Sequence, residues 1–125
     1  MQTVMVARVL VCGGQDFNDK EWVYKYLDGY SSGFWSVTII QGGARGADAL
    51  AKAWSKDRDF PMEEYKADWE KFGKGAGYRR NKQMLIEGKP TVVIAFPGGR
   101  GTADMVKQAK AANIPVLELG AVGGH

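Results

Sequence analysis

Five short apolar runs punctuate the chain, at Arg8 to Cys12, Val37 to Gln41, Met62 to Lys66, Thr91 to Phe96 and Pro115 to Leu119. Longer stretches with helical spacing separate them, and that alternation predicts an α/β fold with a parallel sheet. The second and fourth runs, Val-Thr-Ile-Ile and Val-Val-Ile-Ala, show no alternation of apolar and polar positions, which suits central strands covered on both faces. Ala47, Leu50, Ala51 and Trp54 recur at the spacing of one helical face. Met105, Val106, Ala109 and Ala112 do the same within a helix expected over Gly101 to Ala112, with Asn113 as its stop. Asp19 to Leu27 and Gly77 to Glu87 supply two further helices.

Two glycine-rich turns follow such runs and open helix-like segments: Gly42-Gly43-Ala44-Arg45-Gly46-Ala47-Asp48 and Pro97-Gly98-Gly99-Arg100-Gly101-Thr102. Without a Cβ, a turn admits positive φ and lets backbone N–H groups approach an anion, so strand, turn and helix N-terminus together make a phosphate cradle. Ligands of open α/β sheets bind beyond the carboxyl ends of the strands. At that edge the first strand is followed by Gly13-Gly14-Gln15-Asp16 and the third by Asp68-Trp69 and a basic loop, so four successive loops are expected to build one site. Arg45 and Arg100 sit inside the turns, where a guanidinium can pair bidentately with phosphate oxygens. Arg79 and Arg80 fall at a predicted helix N-terminus, unfavourable for cations unless an anion is present. Beside them Asn81 can orient a ribose or phosphate, while Lys82 faces solvent. Trp69 can stack on a base while Asp68 holds ribose hydroxyls, whereas Trp22, Trp35 and Trp54 read as core or interface residues. Neither turn carries the Gly-Lys-Ser/Thr of a Walker loop or a clean dinucleotide fingerprint, which disfavours an ATPase or a nicotinamide dehydrogenase.

Composition narrows the setting. With 125 residues, 45% hydrophobic and 25% charged, one ordinary domain is expected. The net charge of +3 is modest and its basic residues gather at Lys71 to Lys82 and beside the glycines, which favours a local anion site over a polyelectrolyte surface. Cys12 is the only cysteine, so no internal disulfide or cysteine cage can form within one chain. A reducing cytoplasm fits best, with Cys12 a small buried hydrophobe and not a nucleophile. Met1 to Leu10 lacks a signal-peptide core and no apolar run approaches the roughly 20 residues of a membrane span, so no membrane partner is expected. No cofactor and no metal are expected.

Val11-Cys12-Gly13-Gly14-Gln15-Asp16-Phe17, the Gly42 to Asp48 turn, Ala67-Asp68-Trp69, Gly73-Lys74 with Arg80-Asn81, and the Pro97 to Thr102 turn together resemble the SLOG superfamily of nucleotide-binding domains. Within it, the chain is similar to the small YspA/YpsA-related proteins of bacteria and phages, along nearly its whole length. The resemblance implies a single Rossmann-like domain over residues 1–119, with a five-stranded parallel sheet flanked by helices, and a flexible tail over 120–125 that makes His125 a poor catalytic candidate. Homodimers are frequent in the superfamily, so a homodimer is implied as well.

Two related families point in different directions. Lonely Guy phosphoribohydrolases cleave the N-glycosidic bond of nucleoside 5′-monophosphates with a Pro-Gly-Gly-x-Gly-Thr-x-x-Glu signature and an upstream arginine four residues before a methionine. Arg80 and Met84 match that spacing and Pro97 to Thr102 match the signature, but Met105 stands at the glutamate position. Methionine can neither stabilise oxocarbenium-like charge nor activate water. Asp104 is adjacent, yet neighbouring helical residues point about 100° apart, so it does not simply inherit the role. DNA-processing A proteins bind single-stranded DNA and carry a Gly-Ala-Arg-Gly-Ile-Asp turn similar to Gly43 to Asp48. On that likeness, Trp69, Phe72 and Tyr78 interleaved with Lys71, Lys74, Arg79 and Arg80 would make a stacking, phosphate-binding groove, although the small net charge weighs against it.

The expectation is therefore a protein that binds a nucleotide or nucleotide-derived small molecule as a sensor or sequestering protein. Phosphate would lie on Gly99, Gly101 and Thr102 with Arg80 and Arg45 neutralising it, and Asp16, Asp68 and Trp69 would meet ribose or base. The enzyme alternative assigns catalysis to Asp104, Asp16 or Asp48 with Arg80, and a single-stranded nucleic-acid reading comes second to it.

Overall fold

The computed structural model describes residues 5–119; the expected tail over 120–125 lies outside them. Five parallel strands, β1 (Val6–Cys12), β2 (Ser36–Gln41), β3 (Met62–Glu64), β4 (Val92–Ala95) and β5 (Val116–Glu118), form one sheet in the order β3-β2-β1-β4-β5. The helices are α1 (Lys20–Ser31), α2 (Ala47–Asp57), α3 (Trp69–Phe72), α4 (Ala76–Gly88) and α5 (Arg100–Ala111), with a single 3-10 turn over Gly73–Gly75. Among the described residues no helix is long and apolar enough to cross a membrane.

The unalternating strands are explained by burial on both faces. Val9, Val11, Ile39 and Ile94 point to one side, where Val23 and Leu27 of α1 and Ala47, Ala51 and Trp54 of α2 cover them. Leu10, Cys12, Ile40 and Val93 point to the other, under Met84 and Leu85 of α4 and Met105 and Ala109 of α5. β1 lies in the middle, with Leu10 in register with Ile40 on one side and Val93 on the other. The apolar face read from spacing in α2 is the buried one, with Leu50 half-buried at its margin. In α5 it stops at Ala109: Ala112 is exposed as the C-cap, and Asn113 turns left-handed at φ 61° to end the helix.

Trp54 is fully buried, and its indole N–H donates to Asp28 Oδ1 at 2.9 Å, tying α2 to α1. Arg58 grips the same carboxylate through both of its oxygens and holds it below the usual carboxylate range. Because Asp28 keeps that fork, Trp54→Phe is expected to cost only about 1–2 kcal/mol in urea unfolding, from lost packing and one hydrogen bond. Of the core or interface placement expected for Trp35, the core is excluded, since it stands 79% exposed just before β2.

Candidate functional site

The chain runs outward from β1 through β2 and β3, then returns to the other flank of β1 for β4 and β5. Loops leaving β1 and β4 therefore part in opposite directions, and the crevice between them is where such sheets take ligands. A cleft of about 630 Å³ lies there, walled by residues 13–17 after β1 and 97–102 after β4. α4 contributes Arg80, Asn81 and Met84, α2 contributes Asp48, and Cys12 adds to the apolar lining.

Gly14 knits the rim together. Its N–H donates to the Pro97 carbonyl at 2.8 Å, and its carbonyl accepts from Phe17 and Ala47 N–H groups at 3.2 and 3.3 Å. The backbones are packed so closely that a Cβ on Gly46, which has φ 75°, would overlap the Gly14 carbonyl oxygen, and one on Gly98 would strike Thr102 Oγ1 and the Gly14 nitrogen. These glycines are spent on fitting loop to loop. Gly99 and Gly101 are different, because a Cβ on either would meet nothing within 4 Å.

That open ground is the start of α5. Gly99 is its N-cap and offers no side-chain acceptor, and the first backbone hydrogen bond of the helix runs from Ala103 N to Gly99 O. Among the described residues the N–H groups of Arg100, Gly101 and Thr102 have no acceptor, as at any uncapped helix start. α1 and α3, by contrast, are capped by the carboxylates of Asp19 and Asp68. The uncapped turn carries partial positive charge and faces the cleft, so an anion is what it can hold.

Arg80 adds full charge. Its Nη1 donates to the Gly42 carbonyl at 2.6 Å and its Nε to Asn81 Oδ1 at 3.1 Å, which leaves Nη2 without a partner among the described residues. Asn81 is buried and fully engaged, donating through Nδ2 to the Gly101 carbonyl and to Asp104 Oδ2. It therefore positions Arg80 against the start of α5.

Asp48 is the one acidic group sunk into the cleft, 7% exposed, with Oδ2 accepting from Gly42 N at 3.0 Å and Ala44 N at 3.3 Å. Burial pushes its carboxyl up to about 6, against the lowering pull of those N–H groups and of Arg80. Cys12 is buried, as expected, and burial with the nearby Asp48 charge pushes its thiol up to about 12, away from a nucleophilic thiolate.

The geometry brings together Gly13, Gly14, Asp16, Asp48, Arg80, Asn81, Pro97, Gly98, Gly99, Arg100, Gly101 and Thr102. Gly42, Gly43, Arg45 and Gly46 stand behind the lining: Arg45 makes an exposed 3.4 Å ion pair with Asp16, and Gln41 and Asp48 hold the turn by accepting from its N–H groups. Asp68 is occupied as the cap of α3, and Trp69, 57% exposed, lies outside the cleft. Asp104 also lies outside the lining, held by Asn81 and Gln108. Met105 is fully buried against the sheet and does not line the cleft. The sequence reading passed over Gln41, fully buried, which links Gly43 N to Glu64. A polar side chain closing an apolar strand just before two glycines was its signal.

Comparison with known proteins settles the relationship. A family model described as YspA, cpYpsA-related SLOG matches residues 7–72, just over half of the chain. The chain belongs to that SLOG family. The matched segment holds the Gly13 and Gly42 turns and Asp48, while Arg80 and the Gly98 turn lie beyond it. The Gene 61 protein of Mycobacterium phage D29 is 37% identical to this chain over 121 residues, covering 90% of this chain and 96% of that protein. The fold is similar to that of DNA processing protein A from Streptococcus pneumoniae, with a TM-score of 0.74 and 16% identity, over 94% of this chain and 51% of that one. The present chain thus spans about half the length of that protein, and the likeness is one of fold. Among the described residues no group of three or more histidine, cysteine or acidic side chains is placed to hold a metal ion.

Proposed function

We propose that the cleft binds a nucleotide or nucleotide-derived small molecule by its phosphate and that the protein senses or sequesters that ligand in the cytoplasm. The observation that carries this reading is the uncapped first turn of α5, with unpaired N–H groups, empty space at Gly99 and Gly101, and the free Nη2 of Arg80 in the same cleft. A phosphate monoester satisfies all of these at once, and the apolar lining at Val11, Cys12 and Met84 leaves room for the uncharged part of the ligand.

Calorimetric titration with nucleoside 5′-monophosphates against the parent nucleosides tests it. The phosphorylated forms are expected to bind at least tenfold more tightly, and Gly101→Ala is expected to erase that advantage by filling the phosphate space. The variant should melt no lower than the parent, because alanine favours the helix and its Cβ has open room. Equal binding of nucleoside and nucleotide would sink the phosphate assignment.

Turnover is the second reading, and Asp48 is the observation in its favour, since a buried carboxyl raised to about 6 at the wall of the cleft is poised for proton transfer. Free base appearing in the titration mixtures would replace the binding-only reading with that of a phosphoribohydrolase-like enzyme. The single-stranded nucleic-acid reading has less behind it: Arg79 already lies 4.3 Å over the Phe72 ring and Lys71 5.2 Å from it, which covers one of the three rings offered for stacking.

A further inference from the structure

Asp48 uses only half of its carboxylate within the protein. Both hydrogen bonds it receives from described residues fall on Oδ2, from Gly42 N and Ala44 N. Oδ1 receives none, and among the described residues no buried side-chain oxygen is left unsatisfied, so Oδ1 must reach accessible space. The space Asp48 borders is the cleft. A residue only 7% exposed thus keeps one open acceptor on the cleft.

What could meet it is limited by charge. A phosphate is repelled by a carboxylate and is drawn to the start of α5 and to Arg80. Gly14 separates the two ends of the site: its N–H bonds to Pro97 on the α5 side and its carbonyl accepts from Ala47, the residue before Asp48. A ligand with phosphate on α5 therefore presents to Asp48 a part lying a few bonds away, and in a nucleoside 5′-phosphate that part is the sugar with its hydroxyl donors. We propose that Asp48 reads the sugar of the ligand, its free oxygen accepting from the vicinal hydroxyls of a ribonucleotide, so that the cleft selects ribonucleotides over their deoxy counterparts. An ionised carboxylate is the strongest acceptor a side chain can offer to such hydroxyls, and the two lone pairs of Oδ1 match a vicinal pair.

This inference rests on the nucleotide reading above, and one experiment separates the two. The ribo, 2′-deoxy and 2′,3′-dideoxy forms of each nucleoside 5′-monophosphate are titrated into the full chain and into Asp48→Asn. The parent protein is expected to lose about tenfold in affinity from ribo to dideoxy, the scale of one charge-assisted hydrogen bond, with the 2′-deoxy form between them. In Asp48→Asn the three forms should bind within about threefold of one another. The preference of the parent should also shrink as pH falls below about 6, where Asp48 takes up a proton in the company of Arg80 from α4, Cys12 from β1 and Glu64 from β3. Equal binding of all three forms by the parent overturns the sugar assignment and leaves the phosphate reading intact. Failure of every form to bind overturns the nucleotide reading and this inference with it.

Discussion

Gly46→Ala is expected to destabilise the protein by about 3 kcal/mol or more and to lower its melting temperature by roughly 10–20 °C. Two costs add. Gly46 holds φ 75° and ψ −127°, a conformation that a residue with a Cβ adopts only under strain. The new Cβ would also overlap the Gly14 carbonyl and crowd the Gln15 backbone, neither of which can swing aside as a flexible side chain does. Relief requires opening the contact between the β1 loop and the start of α2, where Ala47 N donates to the same Gly14 carbonyl. Differential scanning calorimetry checks this, and a melting temperature within a few degrees of the parent would show that the rim is not packed as described. Gly101→Ala offers the contrast, because there the added methyl has free space.

The second large effect is one of pH. Asp48 carries a carboxyl raised from 3.8 to about 6, chiefly by burial. A raised value means that the folded state holds its proton more tightly than the unfolded state does. Below about pH 4 both states are protonated and the group costs nothing. Between about 4 and 6 the unfolded chain releases its proton first, and above 6 the folded state bears the whole burden of a buried charge, on the order of 3 kcal/mol. Asp48→Asn removes the charge while its amide oxygen can still accept from Gly42 and Ala44. The variant is thus expected to match the parent near pH 4 and to exceed it by about 1–3 kcal/mol at pH 8, the lower end allowing for weaker neutral hydrogen bonds. Glu63 and Asp28, both held low by their partners, impose the opposite slope on the parent, but they are common to both proteins and cancel in the difference. Urea unfolding at pH 4, 6 and 8 measures it, and a variant less stable than the parent at pH 8 would contradict the burial argument. A charge so costly at the wall of the cleft is the pattern expected of a residue that serves binding or chemistry, in line with the proposed function.

These two residues also show how the site was and was not legible. The Gly42 and Gly98 turns look alike in sequence, each a glycine run with an arginine before a helix. On sequence each reads as a phosphate cradle, and each does follow a strand, β2 and β4. Packing then divides their roles. Both press against Gly14, through Gly46 and Gly98, but the N–H groups of Gly42, Gly43 and Ala44 in the first are taken by Asp48 and Gln41, whereas those of Arg100, Gly101 and Thr102 in the second have no acceptor among the described residues. Chain order carries no record of which turn finds acceptors for its N–H groups.

The apolar runs determined the five parallel strands and, for β2 and β4, the burial on both faces, because a strand covered twice shows no alternation and a helix covered once shows its period directly. Even the stop at Asn113 was written locally, in a residue that tolerates the left-handed conformation. Only the tertiary structure decided the rest. It set Met105 under the sheet, bound Asp104 to Asn81, turned Asp68 into a helix cap, and left Asp48 with one oxygen satisfied and one open. The reason is physical: a carboxylate has the same composition in every setting, and its burial, its donors and its open lone pairs arise from segments far apart in the chain that meet only once the sheet has formed.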